Sequence, residues 1–144
     1  MVNRYRGEVL LKINDESFYL RPTFATLSGI EGALGMTISQ IVTRLNAGQI
    51  GINAFATIVW YGLRGYDSNM RLSISDIGEK ILEEGLFTFL ANNKKEDGDN
   101  VIADFLIAGL IGEKEMRKLE EETEEKKEPA EEQTKKKTKD SGPT

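Results

Sequence analysis

Most predicted elements of the chain have an apolar face and a polar face. The stretch Gly51 to Gly65 differs, because its apolar residues leave no face for water. Thr57 is almost the only polar side chain in its middle. A helix that is apolar all round is normally buried, so we expect this one at the centre of the fold. Asn53 can cap its start, and Gly65 can end it in the left-handed conformation. A short apolar run can also be a strand, but the length and the small residues favour a helix.

Before this central helix, the pattern has the two-residue period of β-strands. Apolar side chains take every second position on one face of Glu8 to Ile13 and again on one face of Ser17 to Arg21. The residues Asn14-Asp15-Glu16 between them form a typical turn sequence. We therefore predict a β-hairpin, and because an isolated hairpin is only marginally stable in water, it must pack on the helices that follow.

Apolar residues at three- and four-residue spacing predict two helices between the hairpin and the central helix. Thr23 is the expected N-cap of the first, and Gly35 ends it. Thr37 and Gln40 have the spacing of a capping box at the start of the second.

Further helices are predicted after the central one. Ser73 or Ser75 can cap a helix that Gly85 interrupts, and the apolar segment that follows, Leu86 to Leu90, is a helix or a packed turn. Asn92 to Asn100 is rich in polar residues and is expected to be a solvated loop, and its last two residues are candidate caps of a final helix.

These elements predict a mainly helical α+β domain over residues 1–112, in which the N-terminal β-hairpin packs on a bundle of four to five helices. The composition changes abruptly after Gly112, since 20 of the 32 residues from Glu113 to Thr144 are charged. Such a segment cannot bury enough apolar surface to offset the entropy cost of ordering it. We expect residues 113–144 to form a disordered tail, or a single solvated helix before Pro129.

The residue types exclude several kinds of chemistry. The chain has no Cys and no His, which excludes disulfides, thiolate or imidazole metal sites and His-dependent catalytic triads. The glycines form no phosphate-binding motif, and the acidic run Glu96 to Asp99 lacks the ligand spacing of a calcium loop. Glu8, Glu16, Glu31 and Asp67 are best interpreted as surface charges. We therefore expect a protein that is not an enzyme and has no cofactor or metal.

The net charge of −5 argues against a nucleic-acid partner, because phosphate binding draws on an excess of Lys and Arg. The longest apolar run, Val101 to Ile111, is too short to cross a bilayer, and the N-terminus lacks the apolar segment of a signal peptide. We expect no membrane association and a cytoplasmic location.

Two features suggest protein contacts. Trp60 and Tyr61 could anchor a partner, as these residue types often do at interfaces, although core packing is the favoured interpretation at their helical spacing. The charged tail could bind a partner electrostatically, or it could only keep the protein soluble.

Four motifs carry a resemblance to a known family. They are N-R-Y-R-G-E-V-L-L-K-I at Asn3 to Ile13, L-R-P-T-F-A-T-L at Leu20 to Leu27, I-E-G-A-L-G at Ile30 to Gly35 and I-V-W-Y-G-L-R-G at Ile58 to Gly65. In order and spacing, they resemble the gene transfer agent family of phage tail assembly chaperones, some of whose names describe tail tube proteins. A looser likeness extends the resemblance to about residues 3–112.

The resemblance implies a protein that holds the tape measure protein soluble in a bacterial host and recruits tail tube subunits. An apolar groove between helices would bind an amphipathic helix of the tape measure protein. The expected walls of this groove are Phe24, Leu27, Ile41 and Trp60. The alternative is a structural tail tube subunit that associates with itself, but such subunits are normally β-rich, so the single predicted hairpin favours the chaperone.

Overall fold

The computed structural model describes residues 6–112, 114–115, 117–119 and 121–122 of the chain. Within residues 6–112, a two-stranded antiparallel sheet precedes six helices, which confirms the predicted mainly helical α+β fold. The strands are β1 (Val9–Ile13) and β2 (Glu16–Leu20), and the helices are α1 (Phe24–Leu34), α2 (Ile38–Asn46), α3 (Ile52–Tyr66), α4 (Ile74–Glu84), α5 (Leu86–Asn92) and α6 (Val101–Ile111).

The hairpin has the register and the faces that the alternation predicts. Leu11 lies opposite Phe18, and the side chains of Leu11 and Leu20 are buried against the helices. Asn14 and Asp15 form the two-residue connection, with φ angles of 50° and 65°. Two consecutive left-handed residues are typical of a type I′ turn, whose twist matches that of the paired strands.

Helix α3 lies at the centre of the fold, as predicted, and contacts α1, α4 and β2. Its ends differ from the prediction. Gly51, not Asn53, is the N-cap, and Asn53 is an exposed residue inside the first turn. Gly65 does not end the helix. A Cβ at Gly65 would collide with the carbonyl oxygen of Arg21, so glycine is needed there for close packing against the end of β2.

Most predicted helix starts are confirmed by side-chain hydrogen bonds. Thr23 accepts from the backbone N–H of Thr26, and Thr37 forms the complete capping box at α2. Ser73, rather than Ser75, caps α4, and Asn100 caps α6. The segment left open as a helix or a packed turn is helix α5.

Glu8 corrects one prediction, because it is not a surface charge. Its carboxylate has 2% of its side-chain surface exposed and lies 2.7 Å from Nη2 of Arg21. It also accepts a 2.9 Å hydrogen bond from Nε of the same guanidinium. The Arg21 guanidinium lies over the ring of Tyr66. The strand pairing brings Glu8 and Arg21 together at one end of the hairpin, where α3 covers them.

Asn93 corrects a second prediction, since the segment 92–100 is not wholly solvated. Asn93 is buried, and its side-chain amide donates to the carbonyl oxygens of Lys12 and Phe89, both at 2.8 Å. The loop is therefore attached to the outer edge of β1.

The predicted charged tail is described only in part. Residues 114–115, 117–119 and 121–122 are helical and exposed, in line with the solvated helix expected before Pro129. The rest of the predicted tail lies outside the described residues.

Candidate functional site

The four residues predicted to bind a partner occupy three different environments. Phe24, the first residue of α1, is 89% exposed, whereas Ile41 is completely buried. Leu27 is half-buried and packs against Gly109 of α6, and Trp60 is half-buried on α3. Ile41 therefore lines no open groove in this structure, and the four side chains are not brought together as the walls of one open groove here.

The environment of Trp60 has features of both interpretations that the sequence left open, core packing and a surface that a partner could contact. Its indole N–H donates a 2.7 Å hydrogen bond to the carbonyl oxygen of Leu72, and its ring packs edge-on against Tyr61. The guanidinium of Arg64 lies 5.2 Å from the ring centroid. Trp60 and Arg64 also line an open groove of about 360 Å³ beside Thr23 at the start of α1. Trp60 is thus a packing residue with one face on a groove.

A second groove separates α3 from α4. It has a volume of about 400 Å³, and its floor consists of the small residues Ala56 and Gly78. Ile52 and Ile74 are half-buried at its sides, and Leu82, which is 63% exposed, stands at its rim. The polar residues Asn53, Ser75 and Glu79 complete its lining. A channel with a floor of small residues can accept a helix at close distance.

A third pocket, of about 440 Å³, lies between the end of α2, the start of α3, helix α5 and the loop that follows α5. Phe87 is 87% exposed at this pocket. The sequence analysis grouped Phe87 with its apolar neighbours and did not predict that its side chain is exposed. The helical period contains a signal, since the i, i+3, i+4 series from Leu86 includes Phe89 and Leu90 but skips Phe87. The apolar lining residues are Leu45, Ile50, Phe55, Leu86, Phe87, Leu90 and Ala91, and the polar ones are Asn46, Lys94, Asp99 and Asn100.

A comparison with known protein families identifies the family of this chain. Residues 6–92 match the model of the family described as phage tail tube protein, GTA-gp10. The chain belongs to this tail protein family. No curated protein and no solved structure matches the chain.

The match to the GTA-gp10 tail tube family spans β1 to α5, and so includes all four predicted binding residues and Phe87. Helix α6 and the loop before it follow the matched region. The family description confirms the phage tail and gene transfer agent part of the resemblance. It names a tube protein and mentions neither a chaperone nor a tape measure protein.

In this tail family member, a network of charges joins the loop between α5 and α6 to the first turn of α6. Lys95 bridges Asp97 and Asp104, at 3.3 and 2.6 Å. The hydrogen bond to Asp104 raises the pKa of Lys95, and the backbone N–H of Asp99 lowers the pKa of Asp97. Both shifts favour the charged forms, so this ion network persists at neutral pH.

The described residues contain no group of three or more carboxylate, His or Cys side chains that could hold a metal ion. In the same part of the chain, no helix has both the length and the apolar character needed to cross a bilayer.

Proposed function

We propose that this chain is a tail tube protein of a phage tail or gene transfer agent particle, and that it associates with tube subunits, including copies of itself. The observation that carries the proposal is the family match over residues 6–92, which spans the hairpin and the first five helices. The proposed role is non-enzymatic and is performed through protein contacts in the cytoplasm of a bacterial host during tail assembly.

The exposed aromatic residues support a role in protein contacts. Phe24 and Phe87 leave 89% and 87% of their surface in water. Exposed apolar surface beside a groove is a common mark of an interaction site, and aromatic residues are often the energetic anchors of interfaces. Both positions lie within the region that matches the family.

A second candidate function is the tail assembly chaperone. It is favoured by the helical body, because the described residues contain one two-stranded sheet and a tube wall is normally built from larger β-sheets. The chaperone would bind an amphipathic helix of the tape measure protein. The α3–α4 groove suits such a helix, since Ala56 and Gly78 allow close approach and Leu82 offers an apolar rim contact.

Co-expression with the tail tube and tape measure proteins of the same particle tests the two candidates. Each mixture would be separated by size-exclusion chromatography and viewed by negative-stain electron microscopy. The tube proposal predicts rings or tubes that contain this chain. A soluble complex with the tape measure protein alone would instead support the chaperone, and the absence of both would contradict both. Repeating the experiment without residues 113–144 measures the contribution of the tail.

A further inference from the structure

Two arginines in this structure lie over aromatic rings, and only one of them has a carboxylate partner among the described residues. The guanidinium of Arg21 lies 5.4 Å from the centre of the Tyr66 ring and also binds the buried carboxylate of Glu8, at 2.7 and 2.9 Å. The guanidinium of Arg64 lies 5.2 Å from the centre of the Trp60 ring. Within the described part of the chain, it forms no salt bridge and no side-chain hydrogen bond. The second arrangement thus lacks the carboxylate that completes the first.

Trp60 holds the guanidinium of Arg64 in a defined place. The indole N–H donates to the carbonyl oxygen of Leu72 at 2.7 Å, and the ring packs edge-on against Tyr61. The position of the ring is therefore fixed, and the negative face of an aromatic ring attracts a cation. A guanidinium carries five N–H donors in a planar fork that fits a carboxylate. Because Arg64 is exposed, a carboxylate from outside the chain can reach these donors.

The groove of about 360 Å³ beside the start of α1, here called the Arg64 groove, has a positive lining. Arg64 is the one charged residue in it. Trp60, Tyr61 and Ala25 supply apolar lining, and the remaining polar side chains are uncharged hydroxyls. An incoming carboxylate would meet a positive charge and no negative one in the lining, so the groove favours acidic partners over basic ones.

The described carboxylates of this chain do not occupy this place. Asp67 lies three positions after Arg64 in the sequence, but its Oδ1 accepts a 3.0 Å hydrogen bond from the backbone N–H of Asn69. Glu8 is bound to Arg21. The carboxylate that would complete the arrangement at Arg64 is therefore sought outside the described part of the chain.

We propose that the Arg64 groove binds an acidic segment of another tail protein. An Asp or Glu side chain of the partner binds the guanidinium of Arg64, and an apolar neighbour of that residue packs against Trp60. Arg and Trp are among the residue types that most often anchor protein interfaces. Phe24, which lies between two lining residues in the chain and is 89% exposed, adds apolar surface at the same end of α1. The inference rests on the proposed function and adds the chemistry by which one tail partner is recognised.

Arg64→Lys in the full chain identifies the partner. This change keeps the positive charge but replaces the guanidinium with an amine, which a zero-length carbodiimide couples to a touching carboxylate as an amide. The water that is lost converts the carbodiimide to a urea. The variant would be co-expressed with the tail tube and tape measure proteins of the same particle, cross-linked and analysed by mass spectrometry. Arg44→Lys is the matched control, because Arg44 is exposed on α2 and lines none of the three grooves and pockets described above.

Arg64→Gln measures how much the charge contributes to binding. We expect about tenfold weaker binding of the partner identified by cross-linking, whereas Arg44→Gln should match the wild type. Added salt should weaken the binding of the wild type more than that of Arg64→Gln, because salt screens exposed charges. Trp60 is the only tryptophan in the sequence, so its fluorescence reports occupation of the groove during the titration. Circular dichroism would verify that each variant is folded.

The outcomes separate this inference from the tail tube proposal. A cross-link from position 64 to an Asp or Glu of another tail protein supports the inference. A cross-link to this chain itself, in the acidic run 120–125 or in a second copy, would overturn it, as would no cross-link beyond that of the control.

Arg64→Gln chains that bind like the wild type and still enter tubes would overturn the inference and retain the proposed function. A cross-link to the tape measure protein, in a soluble complex that never forms tubes, would retain the contact and contradict the tube proposal. Wild-type chains that bind neither protein would contradict both.

Discussion

Asn93 and Lys12 are joined by two hydrogen bonds, although they are 81 positions apart in the chain. The backbone N–H of Lys12 donates to Oδ1 of Asn93, and Nδ2 of Asn93 donates to the carbonyl oxygen of Lys12, both at 2.8 Å. The side-chain amide thus takes the place that a third strand would occupy beside β1. It satisfies a partly buried strand edge and connects the hairpin to the loop before α6.

Replacement of Asn93 by Leu should destabilise the protein by about 2–4 kcal/mol, because the partly buried backbone groups of Lys12 and the buried carbonyl oxygen of Phe89 would lose their partner. Asn92→Leu is the matched control, because Asn92 is exposed. Its side-chain amide donates one solvent-exposed hydrogen bond, to the carboxylate of Glu84. The control should stay within about 0.5 kcal/mol of the wild type. Urea unfolding measures both changes, and equal effects would contradict the role of Asn93.

Gly65 and Gly32 should respond to alanine in opposite directions. A Cβ at Gly65 would collide with the carbonyl oxygen of Arg21 and lie 2.5 Å from Oγ1 of Thr26, whereas a Cβ at Gly32 meets nothing within 4 Å. Gly65→Ala should therefore destabilise by about 1–3 kcal/mol. Gly32→Ala should stabilise by about 0.5–1 kcal/mol, because alanine is the better helix former. Thermal unfolding measures both, and a stabilising Gly65→Ala would refute the close packing of α3 on β2.

Asp76 should add stability that depends on pH. The Ser73 backbone N–H and then the Ser73 hydroxyl hold the pKa of Asp76 below its usual 3.8. A carboxyl group with a lowered pKa in the folded state stabilises the fold above its usual pKa, and the contribution is lost as the pH falls through the lowered value. The stability advantage of the wild type over Asp76→Asn should thus shrink below about pH 4. An advantage that grows in acid would contradict this.

Ser73→Ala tests how much the Ser73 hydroxyl contributes to the lowered pKa of Asp76. It removes the hydroxyl but keeps the backbone N–H that donates to Asp76 Oδ2 at 2.9 Å. An NMR titration of the Asp76 carboxyl carbon should show its pKa rising in this variant while remaining below 3.8. An unchanged pKa would show that the hydroxyl contributes nothing.

The sequence predicts local structure well because the responsible interactions are local. Thr23 and Thr37 satisfy backbone groups three residues away, and the faces of the hairpin follow from strict alternation. The burial of Glu8 and Asn93 was missed because their partners, Arg21 and Lys12, reach them only once the hairpin has formed and packed.

The candidate site was harder to predict than the fold, because its residues also come together only when the helices pack. Ile41 and Phe87 are both large apolar residues on helices, yet the first is fully buried and the second is 87% exposed. The periodicity of a helix defines its apolar face but does not say which neighbour covers it. The third pocket, at which Phe87 is exposed, is formed by four separate segments of the chain, so no single stretch of sequence predicts it.

The most direct test of the tail tube proposal is the abundance of this chain in purified particles. Quantitative mass spectrometry would compare its copy number with that of the tape measure protein in finished tails. A tube protein should be present in many copies for each tape measure protein. Finished tails that lack this chain, while it co-purifies with the tape measure protein before assembly, would contradict the tube proposal and favour the chaperone.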